Sequence, residues 1–416
     1  MMEFLLSLFY LSRPAIFVQS GVKILGLNFF ELLTIIFTGV LILITLFSSS
    51  NKNVGFSKIE ATMFVFIFWC CSVSLVYFNS SDFKILVQWI LPLFTYFVLR
   101  RAIKDRQQYV KLIEMMLGAL IVISISNAIY LALGNGFALE LYYTGESRWR
   151  GLYQGVHTMG HNMGLAIMLM VLYYTLSKSR KSGLRVKFGV VKKIIFCIAF
   201  AACLYGLYKS QVRTVYIGLV VFFGCWLYYY SKKLMAVVAI GAVFLGLLLA
   251  PYLATVFYEF IDIYNGDRDV AEAGSGRPTI WMHNLNIFSD STMDQKVAGL
   301  GVGNYARAVT KGGGIDVSYE KLVWNSHNDY LQVLMETGVV GFFLVIYLYY
   351  LLYKRIRRLN GQEQSFYVAF FWAVVCMNLS SNSYISRFGL AQSFFMILVY
   401  IELSPPKIKG RVRHEN

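Results

Sequence analysis

The chain has 416 residues, of which 57% are hydrophobic and 14% are charged, and its formal net charge is +16 at pH 7. A soluble globular domain carries about 25% charged residues. The low share of charged residues therefore excludes a soluble globular domain and predicts a membrane protein. The basic residues lie in short clusters between long apolar runs, which is typical of membrane-protein loops and excludes a nucleic-acid-binding surface.

The apolar runs predict an all-α polytopic integral membrane protein of about twelve transmembrane helices, forming a single domain over 1–416. A spanning helix needs about 20 mostly apolar residues, and several of the runs reach that length. Arg13 and Pro14 interrupt the first run, which is therefore a full span, a broken span or an interfacial segment. In chain order the predicted spans are 4–20, 28–47, 60–78, 84–100, 110–133, 159–177, 191–209, 213–230, 234–256, 330–353, 364–380 and 387–404.

The placement of lysine and arginine predicts the orientation of these spans. The connections after the second, fourth, sixth, eighth and tenth spans are rich in both residues, whereas the short connections between them carry few. Because such basic loops remain in the cytoplasm, both termini are predicted to be cytoplasmic. The basic residues of the last two of these connections are Lys232 and Lys233, then Lys354, Arg355, Arg357 and Arg358.

Two of the predicted outer connections are too long to be simple turns. They run over 134–158 and 257–329, and the second joins the ninth and tenth spans. A loop of this length is usually functional or disordered, and apolar residues at helical spacing over 280–288 favour a partly helical, functional loop. The glycine-rich run 299–303 follows no strand, so it predicts a turn within this loop and not a phosphate-binding motif.

Two arginines on the predicted outer side are candidate ligands for an anion. Arg213 precedes an apolar span, and Arg277 follows two glycines and precedes Pro278, which suits the first turn of a helix. A helix N-terminus favours negative charge, and a guanidinium binds phosphate oxygens with two parallel hydrogen bonds. The alternatives are a side chain that reaches the membrane interface for Arg213 and a solvated loop residue for Arg277.

His327 is the candidate general base. Ser326 and Asp329 resemble a capping box and Gly338 suits a helix C-terminus, so a short outer helix is predicted to begin at His327 and lead into the tenth span. The positive end of a helix dipole disfavours the imidazolium, which leaves the neutral form that a base requires near pH 7. The alternative is a structural histidine that is hydrogen-bonded to the loop.

A third polar cluster precedes and enters the sixth span. It contains Arg148, Arg150, His157, His161 and Asn162. Polar groups at membrane depth are costly and usually functional, so the cluster predicts binding of sugar or phosphate. His157 and His161 are four residues apart, but no third ligand is evident nearby, and the sequence therefore predicts no metal site. The alternative is packing where the helix begins.

These segments together resemble the O-antigen ligase and polymerase superfamily of bacterial envelope glycosyltransferases. The most specific piece is 326–328 with 336–341, which is similar to the His-Asn…Glu-Thr-Gly-x-x-Gly signature of that family. Arg213 at the start of the eighth span and Arg277 in the outer loop before Trp281 are also similar to the family pattern. The resemblance covers essentially the whole chain.

The resemblance implies an inverting, metal-independent transfer of a glycan from undecaprenyl diphosphate, with no cofactor, at the periplasmic face of the bacterial inner membrane. The acceptor would be a lipid A–core sugar in a ligase or another lipid-linked repeat unit in a polymerase. Arg150-Gly151 with Asn162 resembles a segment of the polymerases and favours that reading. The implied catalytic residues are His327, Arg277 and Arg213, and the implied substrate-binding residues are Arg148, Arg150, Asn162 and Asn328.

Two other functions fit a membrane protein of this kind. A polysaccharide flippase or other transporter would place paired ionisable groups or broken helices near the bilayer midplane, whereas the polar residues here gather on the outer side. A non-catalytic assembly partner would bind glycan yet tolerate the loss of His327.

Overall fold

The computed structural model describes residues 23–24, 27–28, 55–77, 83–135, 138–140, 147–153, 155–178, 189–233, 235–238, 277–305, 326–359, 361–385 and 387–403, together with the single positions 32, 36, 39 and 40. The first predicted span, most of the second and most of the ninth therefore lie outside the described residues, as do large parts of the outer loop 257–329.

The described part of the chain is mostly helical, as the apolar runs predict. Its longer helices in chain order are α1 (Lys58–Val76), α2 (Phe83–Ala102), α3 (Arg106–Ala132), α4 (Val156–Lys178), α5 (Val190–Ser210), α6 (Arg213–Tyr230), α7 (Arg277–Asp290), α8 (Met293–Ala298), α9 (Asp329–Ile356), α10 (Gly361–Ser380) and α11 (Phe388–Leu398), with the short α12 (Tyr400–Leu403) at the end. Six of them, α1 to α5 and α9, are long and apolar enough to cross a membrane. Helices thus occupy nine of the twelve predicted spans.

Two short antiparallel strand pairs depart from the prediction of an all-helical chain. The strands are β1 (Lys23–Ile24) with β2 (Leu27–Asn28), and β3 (Ala138–Glu140) with β4 (Ser147–Trp149). The second pair lies in the predicted outer segment 134–158, where Leu139 pairs with Arg148. Ladder hydrogen bonds therefore hold the backbone of Arg148 just before α4.

Ion pairs gather the predicted cytoplasmic connections at one end of the helix bundle, which is called the inner end below. The pairs are Glu60 with Arg100 and Arg101, Arg106 with Glu363, and Glu402 with Arg100 and Arg355. The paired residues belong to the first turns of α1, α3 and α10 and to the last turns of α2, α9 and α12. Which end faces the cytoplasm stays a prediction from the positions of the basic residues.

A kink at Gly338 divides α9 into a short outer helix and a long spanning helix. Gly338 has φ 66° and ψ −172°, a conformation that is almost confined to glycine. The kink interrupts the helical hydrogen-bond pattern, and the carbonyls before it find partners elsewhere: the Trp69 indole donates to Thr337 O at 2.8 Å. The sequence predicted a helix end at Gly338, and the structure places the break there while the chain continues into the span.

The glycine-rich run 299–303, called the glycine clasp below, binds the other carbonyls at this kink. Backbone N–H groups of Leu300 and Gly301 donate to Met335 O and Glu336 O at 2.9 and 3.0 Å. The Gly303 N–H donates to the Glu336 carboxylate at 3.0 Å. The predicted turn is therefore also the contact that fixes the outer loop to α9.

Candidate active site

The end of the bundle opposite the inner end collects polar side chains from six parts of the chain. They are Arg148 of β4, His157 and His161 in the first turns of α4, Arg213 and Thr214 at the start of α6, Arg277 at the start of α7, residues 326–329 before and at the start of α9, and residues 380–387 between α10 and α11. The N-termini of five helices, α4, α6, α7, α9 and α11, thus meet around one cluster. The predicted catalytic residues Arg213, Arg277 and His327 all belong to it.

Arg277 is fixed by contacts with two other helices of the bundle, α6 and α10. Its guanidinium donates a short hydrogen bond to Ser380 O at the end of α10, and it lies 3.4 Å from Thr214 Oγ1 at the start of α6. Four residues further along α7, the Trp281 indole donates to Ser326 O at 2.9 Å. Helix α7 therefore connects Arg213, through its neighbour Thr214, with the loop that carries His327.

Two further arginines lie close enough to Arg277 for their charges to act on it. Partial burial lowers the pKa of Arg277, and the positive charges of Arg148 and Arg213 lower it further. A guanidinium remains charged even so, because its ordinary pKa lies far above neutrality. Arg148 and Arg277 are half-buried and Arg213 is exposed, so three positive charges share a region that a multiply charged anion can reach.

His327 adopts a left-handed backbone conformation between two anchored neighbours. Its φ is 50°, which is unusual for a residue with a side chain. On one side the Ser326 hydroxyl donates to Asn328 O at 2.6 Å, and on the other Asn328 caps α9 by accepting hydrogen bonds from Tyr330 N and Leu331 N. The predicted helix start at His327 and the predicted capping by Ser326 are wrong, because Asn328 is the N-cap and the helix begins at Asp329.

The imidazole of His327 is held neutral. Burial lowers its pKa to about 4, with further repulsion from Arg277 and Arg387. Since this value lies well below 7, the ring nitrogen keeps a free lone pair near neutral pH. Burial and the neighbouring arginines therefore keep the imidazole neutral, whereas the sequence analysis attributed its neutrality to the helix dipole.

Two buried histidines from α4 lie beside this loop. His161 is fully buried, and its Nε2 lies 3.1 Å from the Ser383 hydroxyl. His157, one turn earlier, lies within electrostatic reach of Arg387, Arg277, His327 and Arg148. The Nδ1 atoms of both rings have no hydrogen-bond partner among the described residues. The cluster is therefore rich in polar atoms that a bound ligand would satisfy.

Arg387 is a member of the cluster that the sequence analysis missed. It precedes α11, and its charge acts on His157, His161 and His327. The sequence treated it as the first residue of the last span, although it follows the rule that was applied to Arg213: an arginine at the outer start of a span. The same rule would have found it.

Asp329 anchors the loop that carries Arg387. Its carboxylate is fully buried and accepts hydrogen bonds from Ser383 N at 2.8 Å and Ile385 N at 3.1 Å. Asn382 of the same loop bonds to Gln332, which in turn donates to Glu336 at 2.9 Å. A buried polar network therefore runs from this loop to the glycine clasp, and it positions Arg387 and His327 on one support.

The remaining predicted binding residues flank the cluster. Gly151 has φ 56°, and a Cβ there would lie 2.0 Å from Asn127 Oδ1, so only glycine fits after Arg150. Arg150 is half-buried, and the charges that act on Arg277 and His327 come from other residues. Asn162 is 1% exposed and donates to Thr158 O at 2.8 Å. Their roles in binding stay predictions.

No group of three or more metal-ligating side chains (histidine, cysteine, aspartate or glutamate) with a suitable arrangement occurs in the part of the chain that the structure describes. Residues 198–346 match a family described as O-antigen ligase. The matched segment contains Arg213, Arg277 and His327 together with the Glu-Thr-Gly run at 336–338, and it confirms the resemblance found in the sequence. No curated protein matches the chain.

Proposed function

Because its segment 198–346 belongs to the O-antigen ligase and polymerase superfamily, we propose that this membrane protein is a glycosyltransferase of surface polysaccharide assembly. The donor is a glycan on undecaprenyl diphosphate, and the acceptor is a sugar hydroxyl of a second lipid-linked repeat unit. The reaction takes place at the periplasmic face of the inner membrane, with both termini of the protein in the cytoplasm.

The observation that carries the proposal is a chain of neighbouring charges: Arg148 and Arg213 act on Arg277, and Arg277 and Arg387 act on the neutral His327. A departing diphosphate gains negative charge as the bond to the sugar breaks. Guanidinium groups that are already in position stabilise this charge without further reorganisation. They supply the positive charge that a divalent cation provides in other diphosphate chemistry, so we propose that the transfer needs no metal.

In this proposal His327 accepts the proton of the acceptor hydroxyl. The hydroxyl oxygen forms a bond to C1 of the donor sugar, and the bond from C1 to the diphosphate oxygen breaks. Its electron pair stays on the diphosphate, which remains bound to the arginines as undecaprenyl diphosphate. A single displacement of this kind inverts the configuration at C1, and a positioned base contributes about 10²–10⁴-fold to such a rate.

The polymerase reaction is favoured over ligation to lipid A–core by the segment from Arg148 to Gly151. Arg148 acts on Arg277, and the neighbouring Trp149 packs against the core with the Lys209 ammonium 5.6 Å from its ring. In this proposal Arg148, Arg150, Asn162 and Asn328 bind the donor or the acceptor glycan. A short strand pair that supports the segment fits a role in holding the growing chain.

The test is glycan transfer by the purified full chain in detergent. One reaction contains only the lipid-linked repeat unit, and a second also contains lipid A–core. Chain extension in the first reaction supports the polymerase. Transfer only in the second assigns a ligase, and no transfer in either overturns the proposed function. An excess of EDTA should leave the rate unchanged, and a rate restored only by added metal would contradict the metal-independent step.

Arginine variants test the role of the cluster. Arg277→Gln should lower kcat by at least about 100-fold, as the loss of a single transition-state donor typically does. Arg357→Gln is a matched control, because Arg357 is an exposed arginine at the inner end that contacts Tyr229. Full activity of Arg277→Gln, or an equal loss in Arg357→Gln, would refute the assigned role.

A further inference from the structure

A second basic cavity lies at the inner end of the bundle, far from the candidate active site. Its volume is about 330 Å³, and its charged lining residues are Lys58 at the start of α1, Lys354, Arg355 and Arg358 at the end of α9, and Glu402 of α12. Gly338 and Lys354 are separated by about 24 Å of continuous helix at 1.5 Å per residue, and the candidate active site lies beyond Gly338. The diphosphate chemistry proposed above does not involve this cavity.

The positive charge of the cavity exceeds its negative charge. Glu402 already has three partners, because Arg100 and Arg355 lie 3.8 Å from it and Tyr96 donates to it at 3.4 Å. Among the residues that the structure describes, no carboxylate forms an ion pair with Lys58, Lys354 or Arg358. All three are exposed residues, and together they line one concave surface.

The neighbours of the cavity on α9 are apolar and aromatic. Lys354 lies 5.6 Å from the ring centroid of Tyr350, and Tyr350 stacks on Tyr347. Tyr350, Tyr347 and Phe343 are 53, 48 and 62% exposed, and their spacing along α9 puts them on one face. Exposed aromatic residues next to basic ones are typical of the level where lipid headgroups meet acyl chains. The cavity therefore opens beside a lipid-facing surface.

From these features we infer that the cavity binds the phosphate headgroup of an anionic phospholipid in the inner leaflet. Lys58, Lys354 and Arg358 bind the phosphate oxygens, while Tyr350, Tyr347 and Phe343 contact the acyl chains. Basic pockets between transmembrane helices on the cytoplasmic side are suited to such headgroups. A lipid bound here joins the ends of α1 and α9, which are distant in sequence.

Thermal unfolding of the purified full chain in a neutral detergent tests this site. Dioctanoyl phosphatidylglycerol should raise Tm in a saturable manner, and dioctanoyl phosphatidylcholine should not. In the variant K354Q/R358Q the half-saturating concentration of phosphatidylglycerol should rise about 25-fold, because each charge removed weakens binding about fivefold. Lys58→Gln, on the other helix, should raise it about fivefold and serves as a second variant if the double variant does not fold.

The matched control is K232Q/K233Q, which removes the same charge from exposed positions near the inner end but outside the cavity. It should respond to phosphatidylglycerol like the unchanged protein. An equal loss in this control would mean attraction to the basic face in general and would overturn the site. Inorganic phosphate that reproduces the full shift would overturn the lipid assignment, and unchanged binding by K354Q/R358Q and Lys58→Gln would overturn both.

Discussion

The backbone of His327 decides which substitution tests its chemistry. Its φ of 50° is tolerated by asparagine more readily than by alanine, so His327→Asn removes the base and keeps the loop. Transfer should fall by about 10²–10⁴-fold with little change in Tm. Gln211, whose φ is 49°, offers a matched control: Gln211→Asn changes a residue of the same conformation at the end of α5 and should keep full activity. An active His327→Asn enzyme would show that the imidazole is structural.

The neutral state of His327 also predicts how stability depends on pH. Its pKa falls from an ordinary value of 6.5 to about 4 in the folded protein, so the unfolded chain binds the proton more readily between these values. The stability that this group contributes is complete above pH 6.5 and is lost as pH falls towards 4, by up to about 3 kcal/mol. Between pH 7 and 4.5, Tm should therefore fall less steeply with decreasing pH for His327→Asn than for the unchanged protein. An equal fall of Tm in both proteins would contradict the lowered pKa of His327.

At the scale of single helices, the kink in α9 is the feature with the sharpest test. A Cβ on Gly338 would lie 2.2 Å from Val297 O, and the φ of 66° adds backbone strain. Gly338→Ala should lower the free energy of unfolding by about 3 kcal/mol or more and should weaken transfer, because the glycine clasp then separates from α9. Gly118→Ala is the control, since Gly118 is exposed within α3 with nothing within 4 Å, and it should be neutral or slightly stabilising.

The helices themselves could be predicted from the sequence, because the length of an apolar run fixes a span almost independently of its neighbours. Starts and ends agree within a few residues, as for 330–353 against Asp329–Ile356. The capping of α9 could not be ranked, since Ser326, Asn328 and Asp329 all suit a helix start and only the folded loop selects Asn328. The strand pair that holds Arg148 was missed because each strand has only three residues, which is too short for an alternating pattern to be recognised.

The sequence analysis named most of the charged residues of the candidate site but not the loop that holds them in place. Arg213, Arg277 and His327 could be found because charged residues are rare beside apolar spans, and each stands out. The run of serine and asparagine over 380–383 resembles an ordinary turn, yet it binds Arg277, His161 and Asp329. Its role follows from the packing of α6 against α10, which no local pattern encodes.

At the scale of the whole molecule, the two ends of the bundle treat charge in opposite ways. At the outer end, which lies opposite the inner end, like charges act on one another: Arg148 and Arg213 lower the pKa of Arg277, and Arg277 and Arg387 lower that of His327. At the inner end buried acidic groups compensate most of the arginines within the protein itself. Repulsion among the arginines therefore costs stability at the outer end and favours an anionic ligand there, whereas the ion pairs at the inner end hold the helices together.

Glu60 tests this division, because it is fully buried between Arg100 and Arg101 at the inner end. Glu60→Gln removes the nearest carboxylate of two largely buried guanidinium groups and should cost about 3–5 kcal/mol of stability. Glu114→Gln is the control: Glu114 pairs with Lys192 at 3.1 Å, but both side chains are nearly half exposed, and its loss should cost less than about 1 kcal/mol. Denaturation of both variants in detergent gives the difference. The folded fraction of Glu60→Gln should transfer glycan at the normal rate, because Glu60 lies at the end remote from the arginine cluster. A loss of kcat in this folded fraction would show that the two ends are not independent.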